Sequence, residues 1–147
     1  MKILVINGPN LNLLGIREPA IYGKGTYADL VAFIRQRAEA LGAEVEVFQS
    51  NHEGAIVDRI QAALGREDAL VVNAAAYTHT SVAIHDALKA VALPVVEVHL
   101  SDPFRREEFR HRSFVEPVAL RTIVGKGFDG YAEALELLVK RQAEARG

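Results

Sequence analysis

The chain of 147 residues has no cysteine, no tryptophan, a single methionine and no excess of either charge, with 17 lysines and arginines against 19 acidic residues and a formal net charge of −2. Without cysteine there are no disulfides, no thiolate nucleophile and no cysteine-ligated zinc, which accords with a reducing compartment. Near-neutrality removes the basic footprint that a nucleic-acid backbone or an anionic membrane requires, so neither is expected as a partner. Long apolar runs are missing as well. The first, Ile3 to Ile6 after Met1-Lys2, is too short for a signal sequence, and no stretch approaches a membrane span. A cytoplasmic location is expected. Half the residues are hydrophobic and 24% are charged, the balance of a globular protein, and the length suits one domain over residues 1–147.

Against these absences stands a regular alternation. Four short, mostly β-branched runs read as buried strands, Lys2 to Asn7, Glu44 to Gln49, Ala69 to Asn73 and Pro94 to Val98, with Val118 to Val124 a weaker fifth. Between them, Tyr27 to Leu41 places Leu30, Phe33, Ile34, Ala38 and Leu41 on one helical face, with Gly42 as the stop. Ala55 to Leu64 and Ser81 to Val91 repeat the pattern. Gly130 to Ala145 carries Tyr131, Leu135, Leu138 and Val139 on a core stripe, with a charged end expected to fray. Strand–helix alternation with short links implies a parallel sheet covered on both faces. Five strands suggest an α/β, flavodoxin-like three-layer sandwich of order 2-1-3-4-5, whose ligand sits beyond the strands' carboxyl ends where the order reverses.

Three polar clusters follow strands that would be neighbours in that order. They are Asn7 to Asn12, Asn73 to Ser81, and Glu97-Val98-His99-Leu100-Ser101. Converging on one crevice, they would offer mainly neutral hydrogen-bonding groups, Asn10, Asn73, His79, His99 and Glu97, suited to a polyhydroxylated, weakly charged ligand. Structural roles are open for each. Gly8-Pro9 is a turn whose backbone Asn10 and Asn12 can satisfy. Thr78, Thr80 or Ser81 can cap the next helix beside a surface His79, and Asp102-Pro103 reads as a cap with proline in the first turn. Glu97 and His99, two apart at a strand end, share a face, so the carboxylate can orient the imidazole.

Gly15 to Gly25 lacks periodicity, contains Pro19 and carries Arg17 and Tyr22, so it reads as a lid. Tyr22 can pack the loop and Arg17 can be a solvated charge, or the guanidinium can stabilise tyrosinate, whose free pKa is about 10. The five histidines, at 52, 79, 85, 99 and 111, show no metal-site spacing, and there is no phosphate-binding glycine loop. Arg105, Arg106, Arg110 and Arg112 interleave with Glu107 and Glu108. Such runs are commonly solvated helix faces, yet one guanidinium can reach the crevice and pair with a carboxylate.

Taken together, Gly8-Pro9-Asn10-Leu11-Asn12-Leu13-Leu14-Gly15, Arg17-Glu18-Pro19 and Tyr22-Gly23 resemble the opening signature of type II 3-dehydroquinate dehydratases. The resemblance continues through Gln49 to Gly54, Ala76 to Ser81, Glu97 to Ser101, Arg106 to Arg110 and Gly127 to Tyr131, covering nearly the whole chain. It implies the flavodoxin-like fold and a hydro-lyase that reversibly dehydrates 3-dehydroquinate to 3-dehydroshikimate through an enolate. That is a step of the shikimate pathway of aromatic amino acid biosynthesis, run with no metal and no cofactor. Position by position, it implies Tyr22 as the base at C2, with Arg17 lowering its pKa. His99 is implied as the acid at the C1 hydroxyl, oriented by Glu97, and Asn10 as the holder of a water at the enolate oxygen. Asn73, His79, the Leu100 and Ser101 amides and Arg110 would bind substrate, with Asp86 at a position often supplied across a subunit contact. A homododecamer, a tetramer of trimers, is implied too.

The sequence departs from the family pattern in three places. Ala74-Ala75 stands where Pro-Gly is common, His85 where arginine is common before Asp86, and Asp102 where asparagine usually follows the serine. The departures touch no implied catalytic group, but they bear on substrate affinity and subunit contacts. The fold alone would equally permit a flavin- or nucleotide-binding module, or a catalytically silent assembly protein.

Overall fold

The computed structural model describes residues 1–16, 20 and 25–147. Strands β1 (Lys2–Asn7), β2 (Glu44–Gln49), β3 (Ala69–Asn73), β4 (Val95–His99) and β5 (Arg121–Val124) form one parallel sheet in the order β2-β1-β3-β4-β5. Helices α1 (Tyr27–Ala40), α2 (Glu53–Ala62), α3 (Val82–Val91) and α4 (Asp129–Arg146) cover it. Both the class and the strand order match the sequence expectation, because consecutive parallel strands joined through helices leave few other ways to bury both sheet faces.

The strands' alternation divides the core in two. Ile3 and Val5 of β1, Ala69 and Val71 of β3, and Val96 and Val98 of β4 face Leu30, Ile34 and Ala38 of α1 and Tyr131, Leu135 and Leu138 of α4. Leu4, Ile6, Leu70, Val72 and Val95 face Ile56 and Ile60 of α2 and Ile84 and Leu88 of α3. Each large aliphatic side chain so buried contributes about 1.5–3 kcal/mol. The helix ends are locally encoded. Thr26 and Asp29 form a capping box on α1, Ser81 Oγ accepts from Ile84 N at 2.9 Å on α3, and Gly42 takes φ 71° after α1.

Several boundaries differ from the sequence reading. β4 runs one residue later at both ends than expected, taking in His99, which is the register partner of Val124 on β5. Val118, the expected start of β5, belongs instead to the 3-10 turn Glu116–Val118 with its proline in the first turn, and β5 begins at Arg121. α2 begins two residues earlier, at Glu53, and α4 stays helical to Arg146 instead of fraying. At the amino-terminal end of the sheet an ion-pair cluster ties α2 to β2 and to the loop that precedes β3. Arg59 Nη2 lies 2.6 Å from Glu67 Oε1, although not in linear hydrogen-bond alignment, and Arg66 Nη2 lies 3.0 Å from Glu46 Oε2.

At the opposite, carboxyl end the loops after β1 and β3 are pressed together. Gly8 N donates to the Asn73 carbonyl at 2.8 Å, and a Cβ on Gly8 would collide with the Ala74 backbone. Ala75 has φ 51°, the left-handed conformation that glycine favours, so Ala74-Ala75 keeps the backbone course that Pro-Gly would take at some conformational cost. Gly8→Ala is expected to destabilise the fold by about 1–3 kcal/mol, since the obstruction is main chain that cannot swing aside. Urea unfolding would register this as a lower midpoint, and an unchanged midpoint would refute the close-approach argument.

Candidate active site

The carboxyl ends of β1, β3 and β4 open into a crevice at the point where strand order reverses. Its walls include Pro9, Asn10 and Leu11 after β1, Asn73, Ala75, Ala76 and His79 after β3, and His99, Leu100 and Ser101 at the end of β4. Pro103, Arg106 and Arg110 close the far side. Seven sequence-identified residues, Asn10, Asn73, His79, His99, Leu100, Ser101 and Arg110, are thereby brought together. Glu97 lies directly behind His99. Asp86 is exposed on α3 and is absent from the crevice walls. Arg17 and Tyr22 lie outside the described residues.

Glu97 is fully buried, on the sheet face otherwise lined by Leu4, Leu70 and Val95. Its Oε2 accepts from His99 Nε2 at 2.7 Å and from Ser113 Oγ at 2.6 Å, while Oε1 accepts from Thr122 Oγ1 at 2.7 Å. Burial opposes ionisation most strongly, but these donors outweigh it and hold the carboxyl below its usual range. An ionised Glu97 requires the proton of the His99 ring on Nε2, so Nδ1 is the nitrogen available for proton exchange.

Ser113 and Thr122 were not singled out in the sequence. Thr122 is the cross-strand partner of Glu97 in the β4–β5 register, a relation that strand pairing alone reveals. Ser113 Oγ also accepts from Val115 N and Glu116 N, so one hydroxyl fixes a loop and a carboxylate together.

His79 Nδ1 donates to the Arg112 carbonyl at 2.7 Å, and burial, the largest influence, lowers its pKa. At neutral pH the ring is therefore uncharged, with Nε2 left as an acceptor for a ligand hydroxyl. Asn10 sits at φ 69°, its amide N held by Asn51 Oδ1 at 3.0 Å, while Gln49 Nε2 reaches the Gly8 carbonyl and Asn51 Oδ1. Gln49 and Asn51 thus set the course of the first loop. The Leu100 and Ser101 carbonyls accept from Gly127 N and Gly125 N, fixing the main chain where β4 ends.

Two departures from the family pattern have structural roles. Asp102 Oδ1 accepts from Phe104 N at 3.0 Å as the cap of Pro103–Arg105, the structural reading of that residue. His85 Nδ1 donates to the Phe114 carbonyl at 2.8 Å, joining α3 to the loop that carries Ser113. Of the arginine run, Arg106 and Arg110 line the crevice, whereas Arg105 is exposed and Arg112 stacks on Phe114 with 4.5 Å from Cζ to the ring centre. Two guanidinium groups beside neutral donors and acceptors suit a small hydroxylated acid better than a cation.

The crevice can therefore bind such an acid and exchange a proton at His99. Residues 1–139 match the family described as dehydroquinase class II. A catabolic 3-dehydroquinase of Aspergillus terreus is 60% identical over 92% of this chain and 89% of its own length. A 3-dehydroquinate dehydratase of Dinoroseobacter shibae is 54% identical over 92% and 91%. The crystal structure of a type II dehydroquinase from Butyrivibrio crossotus superposes with a TM-score of 0.92 at 54% identity, covering 94% of this chain and 97% of that one. With the sheet order, the crevice and the matched length in agreement, the chain belongs to the class II dehydroquinase family.

Proposed function

We propose that the protein is a 3-dehydroquinate dehydratase, a hydro-lyase of the shikimate route that reversibly converts 3-dehydroquinate to 3-dehydroshikimate. The observation that carries this reading is the buried Glu97–His99 pair opening onto a crevice lined by Asn73, His79 and Arg110, in a chain of the class II dehydroquinase family.

In the proposed mechanism Tyr22, as phenolate beside Arg17, removes the C2 proton next to the C3 ketone. The electrons of that C–H bond pass into an enolate. Asn10, through a bound water, supports the charge on the enolate oxygen. As the enolate collapses, the C1–O bond breaks, and the proton on His99 Nδ1 goes to the departing hydroxide, giving water. Glu97 accepts from Nε2 throughout, so the imidazole keeps one orientation while it gives up the proton on its other nitrogen. Asn73 and His79 hold substrate hydroxyls, the second as acceptor. Arg110 pairs with the carboxylate, and the Leu100 and Ser101 amides complete the anion site. No metal and no cofactor enters the sequence of steps.

Residues 1–147 act as one catalytic domain in this reading. A cytoplasmic location fits the cysteine-free sequence, and among the described residues no helix is long and apolar enough to cross a membrane. The assembly proposed is a homododecamer, a tetramer of trimers, in which Asp86 of one subunit approaches the crevice of another. Exposed Val82, Phe104, Phe109 and Leu120 supply apolar surface for such contacts. Sedimentation equilibrium is expected to give about twelve chain masses, and a stable monomer would overturn the assembly.

Incubation with 3-dehydroquinate is expected to produce the enone absorbance of 3-dehydroshikimate, undiminished by chelator or borohydride. A well-folded protein that leaves the substrate unchanged would refute the function. Two variants separate the proton transfers. Tyr22→Phe is expected to abolish exchange of the C2 hydrogen with solvent while substrate still binds, and retained exchange would remove Tyr22 from the role of base. His99→Ala is expected to reduce kcat by roughly 100-fold or more, the range of general acid catalysis, with a smaller change in KM. Full kcat with weakened binding would reassign His99 to substrate binding.

A further inference from the structure

Asn7 and Asn73 are register partners on β1 and β3, and both point to the sheet face covered by α1 and α4. Between them stands the phenol of Tyr131, wholly buried, whose pKa burial raises so that it remains protonated. Asn73 Nδ2 donates to Tyr131 Oη at 2.9 Å, Tyr131 Oη donates to Asn7 Oδ1 at 2.6 Å, and Asn7 Nδ2 reaches Tyr27 Oη at 3.4 Å. Asn73 Oδ1 in turn accepts from Ala75 N at 3.1 Å.

The direction of this chain follows from its one invariable donor. A backbone N–H can only donate, so the atom facing Ala75 N is the amide oxygen of Asn73. The amide nitrogen must then face Tyr131, whose oxygen accepts and whose hydrogen goes on to Asn7. One N–H of Asn73 is used by Tyr131, and the second is left for the crevice, which Asn73 lines. Without the hydroxyl, Ala75 N would still fix which end of the amide is oxygen, but the amide would lose its second anchor and a buried N–H its acceptor.

We propose that Tyr131 is a positioning residue: Ala75 N fixes the oxygen end of the Asn73 amide, and the Tyr131 hydroxyl, by accepting one N–H, holds the amide so that the other N–H serves the crevice as a donor. The ligand atom opposite must accept, so the site selects a substrate oxygen with a free lone pair at that position. A substituent that can only donate is rejected. This rests on the dehydratase reading for the identity of the substrate, while the orientation of the amide rests on the hydrogen-bond chain alone.

The test is a double-variant cycle on the intact enzyme. Tyr131→Phe keeps the ring and removes the hydroxyl, and is expected to lower kcat/KM for 3-dehydroquinate roughly 10-fold, the scale of one buried hydrogen bond with its partner left unpaired. Most of the loss is expected in KM. In an Asn73→Ala background the same change is expected to alter kcat/KM by less than about 2-fold, because the group it positions is gone. A purely structural role would multiply the two losses, and that result, or an unaltered single variant, would overturn the proposal. The side-chain amide of Asn73 supplies a readout independent of turnover and of any variant. In the wild-type protein one of its two N–H protons is expected to be protected from exchange with solvent and coupled through space to a protected tyrosine hydroxyl proton. Free exchange of both amide protons with solvent would overturn the proposal even in an active enzyme. A wild-type protein that fails to dehydrate 3-dehydroquinate but shows the protected pair would refute the dehydratase reading and leave the amide orientation standing.

Discussion

A carboxylate placed inside an apolar sheet face would cost several kcal/mol if left unpaired, and much of the carboxyl end of this fold is arranged around preventing that at Glu97. Its partners come from three separate segments: His99 from the same strand, Thr122 from β5, and Ser113 from the loop that α3 reaches through His85. Satisfying the charge therefore joins β5 and the 113–116 loop to β4. The same arrangement leaves His99 with one nitrogen occupied and one available. The His99 imidazole is thus oriented as a by-product of solving a burial problem.

The two faces of the sheet divide the remaining work. Period-two alternation sends Asn7 and Asn73 toward α1 and α4, where Tyr131 and Tyr27 meet them, and sends Glu97 and His99 toward the other layer. Each helical layer ends at the crevice in its own hydrogen-bonded polar stratum. One contains only neutral groups. The other contains the Glu97 carboxylate and the His99 imidazole hydrogen-bonded to it. Because β1, β3 and β4 are adjacent, the two strata lie side by side across the sheet edge, and a ligand can touch both without any long side chain spanning the gap.

Much of this was legible in the sequence, for physical reasons that also explain the exceptions. Parallel strands buried on both faces must be nearly all apolar, so Ile3 to Ile6 and Leu70 to Val72 declare themselves. β4 was misjudged by a residue because His99 looks like a loop residue until its partner is known. β5 was misjudged because Val118 is apolar but belongs to a proline turn. The Glu97–His99 pair was readable from a spacing of two. Ser113 and Thr122 were not, since their contacts depend on register and on a loop's path, which no local pattern encodes. Tyr131 was seen only as a core residue. Its ring does fill the core, and its hydroxyl, one atom at the end of an apolar stripe, carries no periodic signal. The roles of Arg17 and Tyr22 rest on resemblance alone, outside the described residues.

The ion-pair cluster of Arg59, Glu67, Arg66 and Glu46 lies at the amino-terminal end of the same sheet, with the strands' full length between it and the crevice. The charges that brace the scaffold and the buried charge of Glu97 are held at opposite poles, separated by a slab of buried aliphatic side chains. A substitution in the bracing cluster therefore acts on the scaffold through β2 and α2 rather than by direct contact with the groups around Glu97.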